Sequence, residues 1–375
     1  ITKTLAVLMV DFSCALKLAI PIAVLSAMRE SSSRHISVKG GRFLESVARA
    51  DTIVFDKTGT LTYACPKVAQ IIPFGGHSEP DMLRLAACLE EHYPHSMANA
   101  VVEEAQRRGL SHEEYHSQVQ YVVAHGISSM VEGRKVLIGS AHFVFEDEGC
   151  RVPEGEQDKF ATLPDAYSQL YLCIAGELAA VICIFDPLRA EARAAVQALH
   201  DCGIANVVMM TGDNRRTAEA VARQVGVDAV FAEVLPEDKA AFIRQEKAKG
   251  HTVIMVGDGV NDSPALSEAD AGIAISTGAA IAREIADITI ASEDLFELVT
   301  LRRLSEALMA RIHRDYRFIV GFNLSLIVLG VAGVLPPTTS ALLHNMSTLG
   351  ISLKSMTDLL PHPEEPDTAC PATVG

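Results

Sequence analysis

At 375 residues the chain is too long for one ordinary domain, and two or three units are expected. A hydrophobic share of 49% points to large cores or membrane segments, while a formal net charge of -15 leaves no basic surplus for a nucleic-acid partner. The eight cysteines are scattered without a CxxC pair, which excludes a zinc ribbon or disulfide framework and fits buried thiols in a reducing compartment.

The chain opens on an apolar stretch, Leu5–Met28. Roughly 20 such residues cross a bilayer, so a transmembrane helix is expected here. It has no charged n-region or cleavage signature and is not read as a signal peptide. A start at Ile1 reads instead as a piece of something longer. Inside the stretch lies "DFSCALKLAIP" (11–21). A charge in hydrocarbon is costly, and something must offset it. On a helix Asp11, Cys14 and Lys17 step round by about 60° each and share one side. Pro21 cannot donate to the Lys17 carbonyl, which frees an oxygen. The set offers a carboxylate, a thiolate and a carbonyl to a cation, with Lys17 as a counter-charge; a plain Asp11–Lys17 pair, with Cys14 as packing, is the bland alternative.

Arg29, Arg34, Lys39 and Arg42 follow this span. Arg302, Arg303, Arg311, Arg314 and Arg317 precede a second apolar segment, Phe318–Leu335. The positive-inside rule then places about 29–317 in the cytosol. "PPTT" (336–339) is read as a turn to a third, weaker span, Ser340–Met356, and the acidic tail from Asp358 as disordered.

Between the spans, "DTIVF", "NVVMM" and "TVIMV" are apolar on both faces, as buried parallel strands are. "EARAAVQALHDCG" and "NRRTAEAVARQVG" are amphipathic helices ending at Gly203 and Gly226. The expected core is a doubly wound α/β sheet, interrupted by an insert of about 120 residues with its own strands. The expected division is 1–28, a transmembrane helix with an ion site; 29–62 and 182–300, the two parts of the α/β core; 63–181, the insert; 301–357, a linker and membrane hairpin; and 358–375, the tail.

Chemistry gathers after the strands. "FDKTGTLT" places Asp56 at a carboxyl edge, where α/β folds bind ligands. "MTGDN" opens a helix, with N–H groups at Thr211 and Gly212 as an anion site. "VGDGVND" supplies Asp258 and Asp262, and "LPEDK" supplies Lys239. A carboxylate nucleophile, a second carboxylate for Mg²⁺, a lysine and backbone donors suit phosphoryl transfer through a covalent intermediate.

In "DKTGTLT", "MTGDN", "LPEDK" and "MVGDGVNDSPAL" the chain resembles P-type cation-transporting ATPases, a branch of the haloacid dehalogenase superfamily, over about residues 5–357. The resemblance implies a haloacid-dehalogenase-like core as phosphorylation domain, with an inserted α+β nucleotide-binding domain. It implies ATP and Mg²⁺ as cofactors, Asp56 as the phosphorylated residue, and Mg²⁺ held by Asp56, Asp258 and the Thr58 carbonyl. Lys57, Lys239, Thr211, Gly212, Asn261 and Asp262 then surround the phosphoryl group, with Asp213 beside the nucleotide. "DPLR" (186–189) resembles the family's interdomain hinge motif. In "CLEEHYPHSMANAVV", Glu90 and His95 match the Glu–x4–His of heavy-metal pumps, with Ser96 where Pro is usual. "AHG" keeps Gly126 of a GxG, where a glycine admits close approach to nucleotide.

In such pumps the helix before the core carries Cys-Pro-Cys or a variant; here Phe12, Ser13 and Cys14 stand in its place. The third span adds His344 and Asn345. A Cys, His and Asp mixture favours a borderline divalent ion over Cu(I). The actuator domain and its TGE loop are missing from the sequence. The expected protein is the C-terminal portion of a multi-pass exporter in a cell membrane, with cytosolic catalytic domains. Its implied partners are a transition-metal cation, the lipid bilayer and a cytosolic metal donor. A soluble phosphatase of the same superfamily, or a non-pumping regulatory homologue, are the alternatives.

Overall fold

The computed structural model describes residues 12–92, 96–110, 116–122, 126–164, 167–258, 262–275, 284–292 and 294–361. Its first sheet has seven strands in the order β1-β13-β12-β11-β2-β9-β10. These are β1 (Ile36–Val38), β2 (Thr52–Asp56), β9 (Asn206–Met210), β10 (Ala229–Phe231), β11 (Val253–Gly257), β12 (Ala271–Ile275) and β13 (Ile288–Ile290). All neighbours run parallel except β1, which closes one edge antiparallel to β13. The three apolar runs picked out in the sequence lie side by side at the centre, β2 between β11 and β9. Their side chains are buried on both faces, as an all-parallel sheet sandwiched by helices requires.

Helices α2 (Gly41–Arg49), α5 (Ala192–Asp201) and α6 (Arg215–Val225) cover one face. Helices α7 (Pro236–Ala248) and α8 (Ser263–Glu268) cover the other. α6 stops at Gly226, whose φ of +82° is the left-handed conformation that glycine adopts without strain.

The insert forms a second, antiparallel sheet in the order β3-β8-β7-β6-β5-β4. Its strands are β3 (Lys67–Pro73), β4 (His116–Val122), β5 (Gly126–Val131), β6 (Arg134–Gly139), β7 (Ser168–Ile174) and β8 (Glu177–Phe185). Helices α3 (Glu79–Glu90) and α4 (Ser96–Arg107) pack on one face. β8 passes the expected boundary at Val181 and continues to Phe185, because its buried apolar run extends through Ile184. The two crossings between the sheets zip together, with Thr62 bridged to Leu188 and the Tyr63 amide donating to the Pro187 carbonyl at 3.1 Å.

Three long helices complete the fold: α1 (Phe12–Ser33), α9 (Phe296–Val331) and α10 (Pro337–Ser355). Buried Ala15, Ala19, Ala23 and Ala27 repeat every four residues along one side of α1, and small residues let helices approach closely. α9 is 36 residues, about 54 Å at 1.5 Å per residue. Its first half packs on the sheet through Leu298, Leu301, Leu304 and Leu308, and Ile319 joins Ala15, Ala19 and Ile351 between the helices.

Here the expected second and third membrane spans are corrected, while the first, Leu5–Met28, lies in part outside the described residues. Among the described residues no helix is long and apolar enough to cross a membrane. The apolar segment from Phe318 does not make its own helix: it is the end of α9, preceded by Arg314, Asp315 and Arg317, and it stops at Val331. From Phe318 to Val331 the rise is about 21 Å, short of the roughly 30 Å hydrocarbon core. "PPTT" is not the turn either. Pro337 begins α10, where its fixed φ and missing N–H are tolerated. The tail does not start at Asp358, since residues through Pro361 are held against α1 and α9.

Arg302 ties α9 to the sheet. Its buried guanidinium donates to the carbonyls of Val47 and, at 3.1 Å, Ala50 at the end of α2, and at 3.2 Å to that of Cys202 after α5. These are helix C-terminal carbonyls that lack intrahelical partners, and a cation is favoured there. Arg302→Met should therefore destabilise the chain by about 2–4 kcal/mol in urea unfolding, by stranding buried acceptors.

Candidate active site

β2, β9 and β11 end at one edge of the first sheet, and β2 delivers Asp56 as its last residue. The turn that follows, Lys57–Leu61, leaves helical geometry at Thr58 and at Gly59, where φ is +74°. A Cβ on Gly59 would meet the Asp258 Cβ at 3.3 Å, so the loops after β2 and β11 touch and glycine is needed at the contact. Gly257 does the same for Asp262: a Cβ there would lie 2.7 Å from Asp262 Oδ2.

Lys239, in the first turn of α7, places Nζ 2.6 Å from Asp56 Oδ1 and 2.7 Å from Asp262 Oδ1. All three side chains are buried. Burial, then repulsion from Asp262 and Asp258 against the pull of Lys239, pushes the Asp56 carboxyl up to about 6. Burial likewise raises Asp262. For Lys239 burial acts downward, but Asp56 and Asp262 outweigh it and hold the ammonium above its ordinary value. Asp262 Oδ2 is buried without a hydrogen-bond partner. Carboxylates thus outnumber the ammonium in this buried chamber.

Lys57 is buried but turned from Asp56; it ion-pairs with Asp213. The Thr211 amide, expected to be free for an anion, donates to the Phe231 carbonyl at 3.0 Å, because β9 and β10 continue their pairing past the strand end. The Thr211 hydroxyl accepts the Asp213 amide at 3.1 Å instead. The anion cradle is narrower than the motif implies. At the crossing, Arg189 donates to the Thr60 carbonyl at 2.9 Å and lies over Tyr63, while burial raises the Asp186 carboxyl beside Thr62.

A cavity of about 700 Å³ opens between the two sheets. Gly212, Asp213 and Arg216 line it from the first; Glu90, Gly126, Phe160 and Tyr171 line it from the second. Thr217 donates to the Tyr167 carbonyl at 3.0 Å across the gap. Asp213 belongs to both places, forming the cavity wall and holding Lys57.

A profile of haloacid dehalogenase-like hydrolases matches residues 50–270. The chain belongs to that family. Within it, the chain is 38% identical over 355 residues to a copper-transporting P-type ATPase of Rhizobium leguminosarum bv. viciae, covering 94% of this chain and 41% of that one. It is 36% identical over 358 residues to a zinc-exporting P-type ATPase of Mycobacterium marinum, covering 95% and 49%. The crystal structure of a zinc-transporting PIB-type ATPase in the E2.Pi state matches at 31% identity with a TM-score of 0.70, over 92% of this chain and 55% of that one. The chain spans about half the length of these relatives.

In this member of the family Asp56, Lys239 and the loop bearing Asp258 and Asp262 lie together, while other residues singled out in the sequence are placed differently. Gly126 lines the cavity, but a Cβ there would strike the Ile138 carbonyl at 2.5 Å and the Phe143 ring at 2.6 Å. Packing inside the second sheet, rather than approach of a ligand, demands glycine at this position. Glu90 is buried at the cavity wall. His95 and Asn261 lie outside the described residues. The aromatic wall of Phe160 and Tyr171 was not foreseen, since "SQLYLCI" reads only as a strand.

Among the long helices, His344 of α10 is buried with Nδ1 3.0 Å from Asn323 Oδ1 of α9. Asn345, expected beside it, is exposed, because consecutive helical residues point about 100° apart. Asn323 was missed; its position in an apolar run was the available signal. Lys17 is exposed, away from the buried alanine stripe, so a counter-charge role inside the bundle is not seen. Asp11 and the side chain of Cys14 lie outside the described residues. Among the described residues no group of three or more His, Cys, Asp or Glu is gathered as a metal cluster.

The raised Asp56 value carries a sign for stability. The folded chain keeps that proton to higher pH than the unfolded one, so stability is lost as pH rises from about 4 through 6. Asp56→Asn should accordingly stabilise the chain at pH 7 by about 2–3 kcal/mol, and by little below pH 4, in urea unfolding across that range.

Proposed function

We propose that this chain is the catalytic and C-terminal portion of an ATP-driven exporter of a transition-metal cation, working through an aspartyl phosphate on Asp56. The observation that carries the reading is the buried Asp56–Lys239–Asp262 group at the strand edge, next to a cavity of nucleotide size. The similarity to copper- and zinc-transporting P-type ATPases supports the rest.

ATP would lie in the cavity between the sheets, with its base against Phe160 and Tyr171 and its phosphates toward Gly212 and Asp213. Asp56 attacks the γ-phosphorus, an acyl–phosphate bond forms as the bond to ADP breaks, and ADP leaves. Lys239 neutralises charge that builds on the transferred group, and Asp262 keeps the ammonium in place. Asp56 and Asp258, with the Thr58 carbonyl, would hold Mg²⁺, which draws charge from the phosphate oxygens and keeps Asp56 ionised despite its burial. Lys57 is held by Asp213 at the cavity wall, from which it can turn to an incoming phosphate.

The long helices form the membrane-facing end. Leu25, Phe318, Leu324, Val328, Leu342, Met346, Leu349 and Leu353 are exposed on their surfaces, an apolar skin that suits the further helices and lipid of a complete pump. The catalytic sheets then face the cytosol of a cell membrane. His344 is the cation ligand best supported: with Nδ1–H donating to Asn323, Nε2 presents its lone pair. Cys14 and Asp11 complete the donor set in this reading. An imidazole, carboxylate and thiolate mixture favours a borderline divalent ion, and a cytosolic metal donor would deliver it.

Incubation with γ-labelled ATP and Mg²⁺ should label Asp56 with an acid-stable, hydroxylamine-labile phosphate. Asp56→Asn should abolish the label, and Lys239→Met should slow its formation about 10²–10³-fold. Label that persists in Asp56→Asn would sink the reading, as would free-phosphate release from simple phosphomonoesters without any phosphoenzyme.

A further inference from the structure

Where α10 ends, the chain turns back onto the rest of the molecule. Ser26 of α1 donates to the Met356 carbonyl at 3.1 Å. Arg311 of α9 donates from its two terminal nitrogens to the carbonyls of Thr357, at 2.6 Å, and Asp358, at 2.9 Å. From the other side Glu30, buried near the end of α1, accepts the amides of Leu359 at 2.6 Å and Leu360 at 3.0 Å, one on each carboxylate oxygen. Arg34 closes the far end on the Pro361 carbonyl at 3.1 Å. The side chains of Leu359 and Leu360 pack onto the main core of the seven-stranded sheet.

Five consecutive residues, 357–361, are thus gripped through their backbone by the charged groups of Glu30, Arg34 and Arg311, and Met356 before them by the Ser26 hydroxyl. Charge-assisted bonds of this kind are roughly twice as strong as neutral ones. A surface pair such as Arg29–Asp358, at 2.7 Å, adds little beside them. The place of the grip matters as much as its strength. Glu30 stands one turn before α1 ends and the chain enters β1, the edge strand of the sheet. α9 is fixed to the same sheet by Arg302. α10 has no strand or loop of its own in that sheet; it packs on α1 and α9, and residues 356–361 are the segment that carries the chain from its end onto the sheet's core.

We propose that residues 356–361 are a coupling strap, seated between Glu30 and Arg311, that makes α10 move with the seven-stranded sheet as α1 and α9 do. The Glu30 carboxylate is its anchor. The strap conveys displacement of the sheet to the helix that carries His344, whichever way the sheet is driven. The proposal stands apart from the reading of Asp56, since it concerns how the helices are fastened.

Amide hydrogen exchange on the full chain tests it. Leu359 and Leu360 should be protected in the unaltered protein. In Glu30→Ala their exchange should rise about 10–100-fold, and the last turns of α10 should loosen with them, while β11 stays protected. Glu30→Gln, which keeps a carbonyl acceptor but loses the charge, should fall between. If Glu30→Ala also strips protection from β11, Arg311→Gln replaces it, releasing Thr357 and Asp358 from the opposite side with the same expected pattern. Exchange of Leu359 and Leu360 at the rate of an unstructured peptide in the unaltered chain would overturn the proposal. So would an α10 whose exchange is indifferent to release of the strap.

Discussion

The contact on which the structure turns is a single ammonium buried among carboxylates at the end of a parallel sheet. Lys239 bridges Asp56 and Asp262, with Asp258 close behind. Taking these charges out of water is costly, and the attraction offsets that cost only when the distances are short and the geometry is fixed. β2 and β11 must be neighbours so that their terminal loops meet. Gly59 and Gly257 must lack a side chain so that the acidic residues can close in. α7 must lie where its first turn reaches over the strand edge. The core of the α/β unit can be understood as the scaffold that satisfies these demands together.

The balance is deliberately incomplete. One ammonium does not neutralise three carboxylates, and an oxygen of Asp262 is left buried without a partner. Burial and the neighbouring carboxylates accordingly push Asp56 up to about 6, with Lys239 pulling against them. A group in that condition responds strongly to any cation or phosphate that enters, because each changes the local charge by a whole unit or more. Asp213 extends the same responsiveness to the cavity, where it faces the second sheet while restraining Lys57.

The second sheet and the helices attach to this centre in different ways. The second sheet is joined by two paired crossings and by the Thr217–Tyr167 hydrogen bond beside the cavity. The helices are joined through buried side chains and charged hydrogen bonds. Arg302 binds three helix-terminal carbonyls, the alanine side of α1 lies close to α9, and the segment after α10 is bound by Glu30 and Arg311. The acidic chamber thus lies between the cavity shared with the second sheet and the helices fastened to the first.

Much of the centre was legible in the amino-acid sequence. Short apolar runs followed at once by acidic or glycine-rich loops identify parallel strands and their functional ends, since periodicity and turn chemistry are local properties. Asp56, Asp258, Asp262 and Lys239 were found in that way. The sequence also carried the insert, though β8 outran its expected edge. It misled where a local pattern had two outcomes. An apolar run at Phe318 reads as a complete span, yet it fills only the last part of a helix whose first part serves the sheet. The Thr211 amide looks free at a helix start, yet β10 takes it. Gly126 looks made for a ligand, yet Phe143 fills its space. The pairings of Asn323 with His344, of Arg302 with two helix ends and of Glu30 with Leu359 cannot be read from any window of the chain, because they join residues 21 to 329 positions apart. Local order and the chemistry of each loop were set by neighbouring residues along the chain; which loops meet, which donors are already engaged and what the helices hold on to were decided only when distant segments packed, because sequence records adjacency along the backbone and these contacts depend on adjacency in space.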